Sequence, residues 1–187
     1  MPAATFFLNA SEDVMCWFDS NCSPGKTTTE LIKFWQYGDE NTSQVRSDIA
    51  NGDSYKEAIP NAVRGVASVV EDMQEDWAEY QAVSGEPDYD PYEYYYPASV
   101  DTYRDWKNSI TGTVSSFDTV YDQVVGYYTD AIDINDTMGE QQSDLVDYYA
   151  NRRLEKIGVS YDEIHALELS AIALCNQAEA FWQAYDP

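Results

Sequence analysis

Few stretches of this chain combine residue types and spacing that could do chemistry. Ser23-Pro24-Gly25-Lys26-Thr27-Thr28 contains the Gly-Lys-Thr of a phosphate-binding loop. The first glycine of that motif falls on Ser20, however, and Met15–Ser20 is not the buried strand that should feed the loop. A Pro-Gly turn before a helix cap accounts for the same residues. Cys16, Cys22, Cys175 and the single His165 are zinc-ligand types. The Cys16/Cys22 spacing exceeds the usual knuckle, and His165 and Cys175 would stand about 15 Å apart along one helix. One tetrahedral site cannot take both. Cys16 and Cys22 could instead form a disulfide, which implies an oxidising location, or remain thiols. Cys175, beside Leu174 and Ala178, reads as a core residue.

Asp133-Ile134-Asn135-Asp136-Thr137-Met138-Gly139 begins like an EF-hand loop, but its glycine is one position late and Asp144 stands where the closing glutamate belongs. Asp88, Asp90 and Glu93 read as a solvated acidic loop. No Ser/His/Asp constellation or glycine-rich nucleotide fingerprint is present in the sequence. The expectation is a protein without catalytic, cofactor or metal residues. A helical hydrolase with a carboxylate–metal site ranks last.

Charge is more informative. The chain carries 34 acidic and 10 basic residues, a net charge of −24. That argues against direct contact with nucleic acid, whose phosphates need Lys and Arg, and against anionic membranes. It leaves a halophilic surface, a self-repelling soluble surface, or acids presented to a basic partner. Between Gly65 and Asn151 the basic residues are Arg104 and Lys107, against 19 Asp and Glu. Glu71, Glu75 and Glu79 repeat every four residues with Asp72 and Asp76 beside them, and Asp118, Asp122 and Asp130 follow. Like charges at that spacing repel on a helix. Carboxylates one such step apart stand about 6 Å apart, a separation comparable to neighbouring phosphates on a strand.

Aromatic residues are the second signal. Tyr89, Tyr92, Tyr94, Tyr95 and Tyr96 crowd one proline-broken stretch, and tyrosine is enriched where proteins meet. Trp77, Tyr80, Phe181 and Trp182 are the other candidate contacts for assembly.

The elements that must position these residues are helical. Apolar residues from Tyr103 to Met138 recur in threes and fours, which predicts one helix over Ser99–Met138. Ile59, Val63, Val66, Val70, Met73, Trp77 and Tyr80 keep a 4-3 rhythm, like a coiled-coil seam. Ile164, Leu167, Ala171, Leu174, Ala178, Phe181 and Tyr185 keep another. Ser54/Glu57 and Ser160/Glu163 have capping-box spacing, and Gly158 reads as the stop of a preceding helix. Asn41–Asn51 is a weaker helix with Val45 and Ile49 inward, ended by Gly52. The fold class expected is all-α: an elongated antiparallel helical bundle with three long amphipathic helices. Residues 1–52 form an N-terminal arm and short helices. Residues 53–187 form the bundle, interrupted by a Tyr/Pro/Asp-rich loop at 85–99.

Gly52-Asp53-Ser54-Tyr55-Lys56-Glu57-Ala58-Ile59-Pro60-Asn61-Ala62-Val63, followed by long helices, resembles filament subunits of type III secretion systems, which are helical and self-assembling. The chain departs from them in lacking a long apolar N-terminal helix, and it is not assigned to that family.

The function expected is a non-enzymatic, acidic structural or interaction protein, a self-assembling subunit of a virion or extracellular filament. The alternative is a phage-type acidic mimic of nucleic acid that inhibits a basic nucleic-acid-binding protein. Its partner is a second copy or a basic protein. No apolar run approaches the roughly 18 residues of a membrane span. Met1–Ala10 has no basic residue and does not read as a signal peptide. Virion, signal-peptide-independent secretion and cytoplasm all remain open as locations.

Overall fold

The computed structural model describes residues 40–84 and 98–185, and among them every regular element is helical, with no strand. In chain order these are α1 (Glu40–Asp53), α2 (Ala58–Ser84), α3 (Ala98–Thr137), a 3-10 turn (Gly139–Gln141) and α4 (Asp144–Tyr185). The protein is an all-α helical bundle built on the three long helices α2, α3 and α4. None of the described helices is long and apolar enough to cross a membrane.

The helices form because their apolar residues share one stripe. On α2, Ile59, Val63, Val66, Val70, Met73 and Tyr80 are buried in the order the 4-3 rhythm requires. On α3 the buried set is Val100, Tyr103, Ile110, Val114, Phe117, Val124, Tyr128 and Ala131, and the helix passes unbroken through Gly112 and Gly126.

Two sequence-based boundaries differ from the structure. Ser160 and Glu163 do not start a helix, because α4 runs without interruption from Asp144 to Tyr185. Gly158 costs about 1 kcal/mol inside a helix. Ile157 and Ile164, one heptad apart, are both buried, and each such side chain contributes about 1.5–3 kcal/mol, so burial outweighs the glycine. Ser54 likewise caps no helix start. Its hydroxyl donates back to the Asn51 carbonyl at 2.6 Å, closing the end of α1.

The chain divides into two compact units. The described part of the first comprises residues 40–55 and 123–156. Its core holds Val45 and Ile49 of α1, Val124, Tyr128 and Ala131 of α3, and Val146, Tyr149 and Ala150 of α4. Gly52 of α1 lies flat against the Tyr128 ring, where a Cβ would stand 2.7 Å from Cζ. The turn from α3 to α4 is organised by Asn135, a fully buried polar residue. Its Nδ2 donates to the Ser143 carbonyl at 3.1 Å and to Asp147 Oδ1 at 2.8 Å. Its Oδ1 accepts from the Ser143 amide at 3.1 Å. Gly139, with φ +59°, makes the left-handed step that the turn needs. The EF-hand-like stretch is therefore the last turn of α3 and the start of this connection.

The described part of the second unit comprises residues 56–84, 98–122 and 157–185. Here α3 and α4 run antiparallel. Arg104 Nε meets Glu179 at 2.8 Å, Asp118 meets His165 at 2.9 Å, and the Tyr121 and Tyr161 rings lie 4.4 Å apart, so one number falls as the other rises.

Candidate functional site

The acids of α2 divide by their position around the helix. At about 100° per residue, Glu71, Asp72, Glu75 and Glu79 fall within an arc of roughly 100°, centred about opposite the buried stripe. All four are exposed. None of the four forms an ion pair among the described residues. The helix thus holds a one-sign ridge in place by packing alone. Asp76 lies about 40° beyond that arc, toward the buried stripe, and is half-buried. It accepts a hydrogen bond from the Tyr103 hydroxyl at 2.8 Å, so it serves the α2–α3 contact instead of the outer face.

The other acids of the expected face are not part of that ridge. Asp118 is engaged by His165 Nε2 at 2.9 Å. Asp122 is exposed on α3 of the same unit, and Asp130 is exposed on α3 of the first unit. Arg104 is held by Glu179 at 2.8 Å and Asp101 at 3.0 Å, and those hydrogen bonds raise its pKa.

The aromatic residues expected to mediate assembly come together, but around each other. Trp77 stacks on Tyr80 at 5.5 Å, and Phe181 meets Tyr80 edge-on at 4.8 Å and Trp77 at 6.3 Å. Trp182 reaches Tyr80 at 6.3 Å. Tyr80 is 3% exposed and so belongs to the core, which removes it as a contact for another molecule. Trp77, Phe181 and Trp182 are half-buried. Tyr89, Tyr92, Tyr94, Tyr95, Tyr96, Cys16, Cys22 and the Ser23–Thr28 stretch lie outside the described residues.

His165 is a structural link. Besides Asp118 it faces Glu168 at 3.7 Å through Nδ1 and packs on Tyr161 at 4.3 Å. Cys175 is buried, and burial pushes its thiol pKa up, so it is a poor nucleophile. Among the described residues no group of three or more His, Cys, Asp or Glu is placed to hold a metal ion.

One constellation was not visible in the sequence. In the first unit, Asp53 accepts from Tyr128 at 2.7 Å and from Tyr149, and Arg153 Nε stands 3.4 Å from the same carboxylate. Arg153 also donates to the Tyr149 hydroxyl, at 3.0 Å through Nε and 2.8 Å through Nη2. Burial first, and then Asp53, pushes both phenols far above the ordinary tyrosine value. Burial alone would lower the Arg153 pKa, but Tyr149 and Asp53 outweigh it and the net shift is upward. Phenols held this firmly neutral donate hydrogen bonds and do not act as bases. The cluster ties the end of α1 to α3 and α4.

Comparisons with protein-family models, with curated proteins and with solved structures find no match for this chain.

Proposed function

We propose that this protein is a non-enzymatic interaction protein that presents the outer face of α2 to a basic protein surface, in the manner of a nucleic-acid mimic. The observation that carries the reading is the ridge of Glu71, Asp72, Glu75 and Glu79, exposed and without counter-ions among the described residues. Unpaired like charges on a packed helix are a cost to folding. A cationic partner would turn that cost into steering and binding, because opposite charge brought close raises the association rate and selects the partner. The spacing of about 6 Å between successive glutamates suits a groove lined for a phosphate backbone.

Self-assembly through Trp77, Tyr80, Phe181 and Trp182 has less support, since those rings contact one another and Tyr80 is buried.

The test is capture on the immobilised full-length chain, at low and at high salt, beside the double variant Glu75→Lys/Glu79→Lys. The expected result is a basic protein retained by the wild type at low salt, released as salt rises, lost in the variant, and displaced by duplex DNA. Equal capture by wild type and variant, or no basic protein among those retained, would overturn the reading.

A further inference from the structure

Helix α4 has apolar residues on two opposite faces. One face holds the core residues Ile164, Ala171, Cys175 and Ala178. On the other, Val159, Asp162, Ala166, Leu169, Ala173 and Asn176 follow one another in 3-4 steps, and all six are exposed. Small residues in such a row would signify little. Val159 and Leu169, however, are 62% and 67% exposed, and they are the two most exposed large hydrophobic side chains among the described residues. Both fall on this face, in the phase of a heptad seam. The seam has one acid, whereas the outer face of α2 has four. A copy of a chain with net charge −24 can approach another copy only where its charge is low.

The order of residues makes the face complementary to itself. In an antiparallel pairing about a two-fold axis between Ala166 and Leu169, each Leu169 meets the partner copy at its Ala166 position. Asp162 meets the Ala173 position, and Val159 meets the Asn176 position. Large side chains oppose small ones, and the lone acid is kept away from its own copy. A parallel pairing in register would set Asp162 against Asp162.

We propose that this face of α4 is the contact between two copies of the chain, packed antiparallel in a symmetric homodimer. This goes beyond the acidic-face reading and is independent of it, since it uses a different helix and the opposite electrostatics.

Sedimentation equilibrium on the full chain, at about 1 to 100 µM, tests the proposal. The expected result is a monomer–dimer equilibrium that strengthens as salt rises, because salt screens the repulsion between copies. Binding of a basic partner to α2 should weaken with salt, so the two readings fail separately. Leu169→Asp should weaken the dimer on the order of tenfold or more, and Asp162→Ala should tighten it. Both positions are exposed, so circular dichroism should show unchanged helicity. Val159→Lys, at the other end of the seam, is the second variant should Leu169→Asp lose helicity. A wild type that stays monomeric throughout, or a dimer indifferent to Leu169→Asp and Val159→Lys, would overturn the proposal. So would a monomer in which a thiol at Ala173→Cys is shielded from maleimide, because the face would then be covered within a single copy.

Discussion

The Tyr149 hydroxyl reaches both carboxylate oxygens of Asp53, at 2.8 Å to Oδ1 and 2.7 Å to Oδ2, while Arg153 donates to that hydroxyl from behind. Its one proton is directed at a largely buried anion, and Arg153 supplies the compensating charge. Such a network is stable only while every member is satisfied. Tyr149→Phe leaves Asp53 and Arg153 short of a partner and should cost about 1–3 kcal/mol by urea denaturation. Tyr128→Phe removes the other phenol donor to Asp53 and should cost a comparable amount. The double variant should deviate from additivity by about 0.5–3 kcal/mol, since the two phenols share one acceptor. Additive effects would show that the hydroxyls do not act through Asp53 together.

The same two phenols fix the response to alkali. Both have pKa values above the ordinary tyrosine value of 10.0 in the folded chain. Above that pH the unfolded chain loses protons that the folded chain keeps, so the unfolded state binds fewer and stability falls as pH rises. Below it the contribution is fully present. The unfolding free energy from urea denaturation should be flat to about pH 9 and then drop, by up to about 1.4 kcal/mol per pH unit for each phenol. Tyr128→Phe with Tyr149→Phe should remove most of that slope. An unchanged slope in the double variant would place the alkaline transition elsewhere.

Gly52 owes its place to close approach, not to backbone conformation. A Cβ there would stand 2.7 to 3.0 Å from three atoms of the Tyr128 ring. That ring is fully buried and tethered by its hydroxyl to Asp53, so it cannot swing aside without breaking the bond. Gly52→Ala should therefore destabilise by about 1–3 kcal/mol through overpacking, although alanine is the better helix former by about 1 kcal/mol. A stabilised Gly52→Ala would mean that the ring has room to move.

Asn135 and Ser143 reverse the usual importance of a helix cap. Serine before a helix normally caps it with its hydroxyl, worth about 0.5–2 kcal/mol. Ser143 Oγ is instead buried with no hydrogen-bond partner among the described residues, and Asn135 holds both the amide and the carbonyl of Ser143. Ser143→Ala should be neutral or stabilising by up to about 1 kcal/mol, whereas Asn135→Ala should cost about 2–4 kcal/mol by leaving buried backbone groups unpaired. Thermal melts of the two variants check the order, and a larger loss for Ser143→Ala would refute this account.

The ridge on α2 should be a liability to the isolated chain. Glu75 faces Glu71 and Glu79 one turn away on either side, all exposed. Glu75→Gln should raise stability by about 0.4–1 kcal/mol at low ionic strength, from two relieved repulsions of about 0.2–0.5 kcal/mol each. The gain should shrink in molar salt. A loss of stability on this change would mean that Glu75 has a favourable contact within the fold.

The sequence by itself determined the helical class and most of the helix register. Spacings of three and four force apolar side chains onto one stripe, and water then drives that stripe inward wherever it forms. Hence Ile59–Tyr80 and Tyr103–Ala131 could be placed without coordinates, and so could the exposed row Glu71, Glu75, Glu79, because a residue half a turn from the stripe faces out. The tertiary structure decided what depends on distance between residues far apart in the chain. Gly158 and Ser160 have the local form of a stop and a start, yet packing of Ile157 and Ile164 carries α4 through them. Tyr80 and Asp76 belong to the right types for a binding surface, but Trp77, Phe181 and Tyr103 take them inward. Asp53, Tyr128 and Tyr149 are scattered over nearly a hundred residues, separated by up to 96 positions. No periodicity marks a polar cluster of that kind, because its members are joined by long-range hydrogen bonds and not by a shared helical face.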